Sequence, residues 1–449
     1  MIRIYNSMSH QLEEFKPIEE KKVKMYLCGP TVYNYIHIGN ARSLVAFDLI
    51  RRYLEFRQFK VNFVSNFTDV DDKIIAAAKL ENISVLELSE RYISAFFEDA
   101  KALSVKKASQ HPRATEYIDD MVKFIEELIE KDFAYVSKSD VYFRVAKSQD
   151  YGRLANKNLD ELIEGASGRL SEDVSLKESS ADFALWKVAK EGEQSWDSPW
   201  GKGRPGWHIE CSVMANLLLA ETIDIHAGGA DLEFPHHTNE IAQSEAHNGK
   251  KFVNYWLHNG FVNVSGEKMS KSLGNFKTVR ELLESGIDPQ VLRLFLVSQH
   301  YRRPLDFTEE ALEQSENNLK KILNVFVKFE EDREINEEEL EKFKREFILA
   351  MDEDFNIANG LTVFYDFIKW VNKGNTAQAA KDFYLTVLEL LGIHTQTKKE
   401  DLRIEELVAQ REFARQNKDF VVADKIRDDL KAEGILLEDT AKGVRWSYE

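Results

Sequence analysis

The stretch from Val23 to Phe56 constrains the fold more than any other. Apolar alternation from Val23 to Leu27 predicts a strand, and Gly29-Pro30 ends it. From Ala41 to Phe56 the apolar spacing turns helical, through Leu44, Phe47, Ile50, Tyr53 and Leu54. Between them runs a loop holding Cys28 and a His37-Ile38-Gly39-Asn40 turn. A strand is thus led into a helix N-terminus, whose unpaired N–H groups and positive dipole end suit a phosphate. Val61 to Phe67 alternates as a second strand, with the helix as crossover. Strand–helix–strand order argues a parallel sheet, and right-handed crossovers put the 28–40 loop at its carboxyl edge.

The 449 residues are too many for one core and suggest about three domains. The net charge of −17 speaks against a general nucleic-acid coat, because phosphate affinity comes from Lys and Arg. It leaves room for RNA held by a local basic cluster. Met1 to Asn6 lacks the apolar core of a signal peptide, and no apolar run approaches the roughly 18 residues that span a bilayer, so a cytoplasmic protein is expected. The two cysteines, Cys28 and Cys211, are not expected to pair in a reducing cytosol. Buried free thiols are their ordinary fate.

Along the chain, Ile74 to Phe97 is expected to be helical, carrying Leu80, Leu86, Leu88 and Phe96. A helix over Tyr117–Lys131, a strand over Asp140–Val145, a polar stretch from Leu159 to Ser180 and a loop over Ser195–Gly206 form an expected insertion, 116–204, in the sheet. Its two halves would then be 1–115 and 205–260. The second half holds a helix around Ile209–Leu219, a strand Thr222–His226 followed by Gly228-Gly229, a helix His236–His247 opened by Pro235, and a strand-like run Phe252–Phe261. Residues 261–306 carry Lys268-Met269-Ser270-Lys271-Ser272 and a helix over Pro289–His300. Phe307 to Leu391 is all helical, and a compact tail, 401–449, opens with a charged helix over Ile404–Glu433.

A His-x-Gly-Asn turn near the N-terminus, with Lys-Met-Ser-Lys-Ser far downstream, resembles the class I aminoacyl-tRNA synthetases. Four further runs narrow the resemblance: Cys28 to Tyr33 (Cys-Gly-Pro-Thr-Val-Tyr), Asn66 to Lys73 (Asn-Phe-Thr-Asp-Val-Asp-Asp-Lys), Gly206 to Cys211 (Gly-Trp-His-Ile-Glu-Cys) and Phe234 to Glu240 (Phe-Pro-His-His-Thr-Asn-Glu). With these the chain resembles the cysteinyl-tRNA synthetase family over essentially its whole length. The resemblance implies an α/β fold with a Rossmann-type parallel-sheet catalytic core and connective insertion. A lysine-motif region (261–306), an α-helical bundle (307–395) and a small C-terminal anticodon-binding domain (401–449) would follow.

The implied chemistry is activation of L-cysteine by ATP with Mg2+, then transfer to the 3' end of a cysteine tRNA by a monomer. His37 and Asn40 would donate to phosphate oxygens, Gly39 would let the nucleotide approach, and Lys268 and Lys271 would bring positive charge. The class pattern has a second histidine where this chain has Asn40, so Asn40 is a positioning donor, not an acid. Thr31, Gly228, Gly229 and Asp231 join the nucleotide site; Asp231 is either a ribose or amine acceptor or a helix cap. Gly29, Thr68, Trp207 and His226 are candidate walls of the amino-acid pocket, with core packing the alternative for Trp207. His236 and His237 both lie within a helical turn of Glu240, so spacing does not choose between them. The resemblance chooses His236, with Cys28, Cys211 and Glu240, as a zinc set. Zinc favours a thiolate over a hydroxyl, which would exclude serine without an editing domain. In the tail, Arg445 and Trp446 are either anticodon-stacking groups or parts of a small core. Two other readings compete: a cysteine ligase acting on a glucosaminyl-inositol in mycothiol synthesis, and a non-catalytic zinc- and RNA-binding relative.

Overall fold

The structure is a computed structural model describing residues 1–156, 176–190, 192–264, 266–268, 277–330, 333–395, 398–416, 419–440 and 443–448. Most of the polar stretch expected over Leu159–Ser180 lies outside the described residues, as do Met269 to Phe276 with Lys271. The chain forms two compact units: 1–286 with 300–306 and 352–355, and 287–299 with 307–351 and 356–449.

The first unit is built on four parallel strands, β1 (Lys22–Leu27), β2 (Lys60–Ser65), β3 (Ile223–Gly229) and β4 (Val253–Asn259), in the order β4-β3-β1-β2. Met25 pairs with Phe63 on one side and Ile225 on the other. Met25, Tyr26 and Leu27 are buried, as a strand covered on both faces requires. From β1 the chain first moves outward through helix α1 (Ile38–Phe56) to β2. It later returns to β3 on the opposite side of β1. The crevice between the carboxyl ends of β1 and β3 is therefore the switch point where α/β sheets take ligands. Helix α1 buries Ala41, Leu44, Val45, Phe47, Ile50 and Leu54, which explains its apolar spacing.

The run expected as one helix over 74–97 is two: α2 (Asp72–Glu81) and α3 (Val85–Ala102). Asn82 turns left-handed (φ 55°) and Ser84 caps α3, so local side-chain chemistry overrides the periodicity. The register changes with it: Leu80 and Leu86 face solvent while Leu88 and Phe96 are buried. The insertion holds a helix, Ile118–Glu130, and an antiparallel sheet of Ala134–Ser137, Asp140–Phe143, Phe183–Val188 and Gly203–Pro205. It does not close a core of its own. One apolar cluster runs from Tyr26, Val64 and Trp256 of the main sheet to Phe124, Phe143 and Trp186 of the insertion.

Helix α4 (Trp207–Leu218) leads into β3, and α5 (Thr238–Asn248) joins β3 to β4. Helix α5 begins two residues later than expected because Phe234 is extended (φ −141°, ψ 131°), which leaves His236 and His237 in the turn before it. Strand β3 runs through Gly228 and Gly229 instead of stopping at His226.

The second unit is helical. Ile357–Val371 and Gln378–Leu391 bury Phe364, Phe367, Tyr384 and Val387, and the Tyr384 hydroxyl donates to the Ile322 carbonyl at 2.9 Å. The tail is two helices, Lys398–Gln416 and Phe420–Ala432, not the single one expected, because Asp419 caps the second. A hairpin, Ile435–Thr440 with Gly443–Tyr448, completes it, and Trp446 packs against Ile404, Leu430 and Ile435. Among the described residues no helix is long and apolar enough to cross a membrane.

Candidate active site

A cleft of about 420 Å3 opens at the switch point. One end of it is the start of α1. His37 is the N-cap: its Nδ1 accepts from Asn40 N–H at 3.2 Å, and Asn40 Oδ1 accepts from His37 N–H at 3.3 Å. A neutral His37 whose Nδ1 accepts carries its proton on Nε2. Thr31, Gly39 and Asn40 line the cleft beside it, and Gly229 and Asp231 line it from the end of β3. The short turns around Asp231 have no side-chain cap, so the geometry does not make it a helix cap. Lys268 sits in a two-residue strand, Glu267–Lys268, paired with Val262–Val264; Val262 also lines the cleft.

At the other end stand Cys28, Gly29 and Trp207. Gly29 permits a close approach that no side chain would survive. A Cβ there would lie 1.6 Å from the Asn66 carbonyl oxygen, while Gly29 N–H donates to Asn66 Oδ1 at 2.9 Å. Trp207 is 40% exposed, with its ring 4.3 Å from that of His236, so it is a cleft wall, not core packing. Three expected residues do not reach the cleft surface. Thr68 is buried and donates to Glu210 Oε2 at 2.8 Å. Gly228 packs on buried His237, whose Cε1 would lie 2.8 Å from a Cβ. His226 lies behind Cys28, its Nε2 3.3 Å from the Cys28 sulfur.

Behind the cleft, four residues from three segments converge. Cys28 Sγ is 3.7 Å from Cys211 Sγ and 3.4 Å from Glu240 Oε1, and His236 Nε2 is 3.0 Å from the same carboxylate oxygen. One ligand atom from each of the four lies within 4.8 Å of the others. A second group, Cys28, His226, His237 and Glu240, meets the same limit but holds one thiol instead of two. His237 is turned toward His258: Nδ1 is 2.8 Å from His258 Nε2, and His258 Nδ1 is 2.8 Å from Ser7 Oγ.

Burial dominates the electrostatics here. It pushes the Glu240 carboxyl and the Cys28 thiol well above their ordinary ranges. It holds His208, His226 and His237 well below theirs, and His258 down to about 3. The hydrogen bond from Cys28 brings Cys211 down to about 7. Glu240 Oε2 and His237 Nε2 are buried without a hydrogen-bond partner. A dication answers such a set, and two sulfurs, an imidazole and a carboxylate fit zinc.

His208 and His258 belong to this cluster and were not anticipated as site residues. His208 Nδ1 is 3.0 Å from His236 Nδ1. His258 left a usable trace, because pairing β4 to β3 sets it opposite Gly228. Ser43 and Asn259 were also missed. They line the cleft, with Ser43 Oγ donating to Asn259 Oδ1 at 2.7 Å.

Comparison with known proteins agrees with this geometry. Residues 14–317 match the tRNA synthetases class I (C) catalytic domain, and residues 346–396 match the DALR domain. The chain is 65% identical over 449 residues, all of both chains, to the cysteine–tRNA ligase of Lactococcus lactis subsp. cremoris (strain MG1363). It is 57% identical, again over all of both chains, to that of Streptococcus pneumoniae serotype 4. In fold it resembles a methionyl-tRNA synthetase from Mycobacterium tuberculosis in complex with methionyl-adenylate. The TM-score is 0.59 at 15% identity, over 82% of this chain and 88% of that one. With its catalytic-domain match over most of its length and such relatives over all of it, the chain belongs to the cysteine–tRNA ligase family of class I aminoacyl-tRNA synthetases.

Proposed function

We propose that the chain joins L-cysteine to the 3' end of a cysteine tRNA in two steps within this cleft, acting in the cytoplasm as a monomer. In the first, a carboxylate oxygen of cysteine attacks the α-phosphorus of ATP and the bond to pyrophosphate breaks. In the second, a hydroxyl of the terminal adenosine attacks the carbonyl of the adenylate and AMP leaves. The observation that carries the reading is a single cleft with a helix N-terminus at one end and, at the other, Cys28 on its wall with buried Cys211 beside it.

His37 donates from Nε2 to the phosphates, and the first turn of α1 adds its N–H groups. Asn40 sets His37 through their reciprocal hydrogen bonds. Asp231 accepts from the ribose or the substrate amine. Lys268 and Lys271 offset charge on the leaving pyrophosphate, and Mg2+ arrives on the phosphate oxygens of ATP. Cys28, Cys211, His236 and Glu240 would hold a zinc ion, which when bound supplies a soft Lewis acid for the thiolate of cysteine and none for the hydroxyl of serine. Trp207 closes the wall beside it.

The test is charging of a cysteine tRNA transcript with labelled cysteine, with pyrophosphate release followed in the same reaction. Charging with cysteine and none with serine is expected. Pyrophosphate release without charged tRNA would move the acceptor elsewhere. The aminosugar-ligase and non-catalytic readings are not favoured, because relatives matching the whole chain carry the ligase name.

A further inference from the structure

The segment that follows the lysine motif is fastened to the His37 loop. Ile38 N–H donates to the Lys277 carbonyl at 3.1 Å and Val279 N–H to the Ile36 carbonyl at 2.9 Å, an antiparallel bridge centred on His37 and Thr278. Thr278 and Glu281 then form a capping box at the start of the helix Val279–Glu284. Arg280, in the first turn of that helix, reaches across to α3. Its Nε donates to Asp99 Oδ1 at 2.9 Å and its Nη2 to Glu98 Oε2 at 2.7 Å. Its guanidinium also lies over the ring of Tyr35, 5.5 Å from the centroid, and Tyr35 meets Tyr92 of α3 edge-on at 5.3 Å.

Asp99 is the fixed point of this arrangement. Its side chain is 2% exposed, and its Oδ2 is buried without a hydrogen-bond partner. A buried carboxylate of that kind needs a cation, and the guanidinium of Arg280 is placed on it. Tyr35 and Arg280 thus touch each other at one end of the bridge, and both are held by α3. His37 is thus both the centre of the bridge and the N-cap of α1.

We propose that Arg280 and Asp99 are positioning residues for activation, holding the Ile36–Ile38 and Lys277–Val279 segments together so that His37 stays where the phosphates of ATP arrive. The inference rests on the reading of His37 as a phosphate donor in that step. Neither residue touches substrate; both act through His37. The expected effect is large for so remote a contact, because a displacement of about 1 Å at a reacting group costs on the order of a hundredfold in rate.

The experiment uses the full-length, zinc-loaded protein. Single-turnover formation of cysteinyl-adenylate is measured for His37→Ala, Arg280→Ala, Arg280→Lys, Asp99→Asn and the His37→Ala/Arg280→Ala double variant, with KM for cysteine, metal content and melting temperature recorded alongside. Arg280→Ala is expected to slow the step about ten- to a hundredfold while KM for cysteine and metal content stay at parental values. Arg280→Lys, which keeps the charge but not the fork, should recover part of the rate. The double variant should be no slower than His37→Ala alone, since two residues working through one group are not additive.

A parental rate for Arg280→Ala, a double variant slowed by the product of the single effects, or a loss accompanied by metal release would each overturn the proposal. If Arg280→Ala does not fold, Arg280→Lys and Asp99→Asn carry the same test. If His37→Ala itself runs at the parental rate, the reading of His37 fails and the inference goes with it. If His37→Ala is slow and Arg280→Ala is not, only the inference fails.

Discussion

At the end of the cleft proposed to take the nucleotide, the groups come from one short segment. His37, Gly39 and Asn40 are consecutive or nearly so, and a helix N-cap sets their geometry. At the end proposed to hold a metal, the groups come from three segments, and Cys28 and Glu240 are 212 residues apart. The first end is a property of local backbone chemistry; the second exists only once the sheet has closed. Damage should therefore differ in kind. A side-chain deletion at the nucleotide end removes a rate contribution and leaves the site standing. One at the metal end removes a proposed ligand from a cluster in which burial already holds the Glu240 carboxyl and the Cys28 thiol well above their ordinary ranges.

Cys211→Ala sharpens that contrast most. With one of two sulfurs gone, metal content measured by mass spectrometry should fall to background, and cysteine activation by more than about a hundredfold. Retained stoichiometric metal would show that the second group, Cys28, His226, His237 and Glu240, holds the ion instead. His37→Ala comes next. Activation should fall by about 10²–10³, as for loss of one oriented donor, with metal content and cysteine affinity unchanged. If His37→Ala also released the metal, the two ends would not be independent and the comparison would break.

Gly29 marks the joint between the two ends, and its effect should be smaller and appear as stability. A Cβ at that position would overlap the Asn66 carbonyl, so Gly29→Ala must push the ends of β1 and β2 apart. Overpacking of this kind costs about 1–3 kcal/mol. The check is the melting temperature with and without saturating cysteine. Loss of stability is expected in both, and an unchanged melt would mean the strand ends move freely.

The same contrast explains what could be read before folding. The strand–loop–helix start of the core was legible because Val23 to Leu27, Gly29-Pro30 and Leu44 to Leu54 each carry a local signal. The metal cluster was not, because no spacing brings Cys28 to Cys211; only the family resemblance paired them. His226 and Thr68 were expected at the pocket surface, yet alternation along β3, buried on both faces, cannot say how deep His226 lies, and Thr68 stands beyond the end of β2 where no period applies. The split at Asn82 and the one ahead of Asp419 were hidden for a different reason. A left-handed residue or a capping aspartate ends a helix without disturbing a charged or apolar pattern that resumes a few residues on. Trp446 could not be placed from its neighbours, since a terminal hairpin and a stacking platform have the same composition.

The smallest effect concerns the nucleotide half alone. His111 stacks on Phe67 with centroids 5.5 Å apart, and its Nε2 accepts from Ala108 N–H at 3.2 Å while Nδ1 meets the Ser65 carbonyl at 2.9 Å. Burial holds this imidazole below its ordinary range, so the folded chain keeps it neutral. On unfolding it returns to about 6.5 and takes up a proton, which means the unfolded state binds more protons below that pH. Its contribution to stability is therefore present above about pH 6.5 and is lost as the pH falls below it. His111→Gln keeps a donor and an acceptor but cannot titrate. The melting-temperature gap between parent and variant should favour the parent more at pH 7.5 than at pH 5.5. The histidines of the metal end are identical in both proteins and cancel in that difference. A gap that stays constant with pH would show that His111 takes no part in the acid sensitivity of the fold.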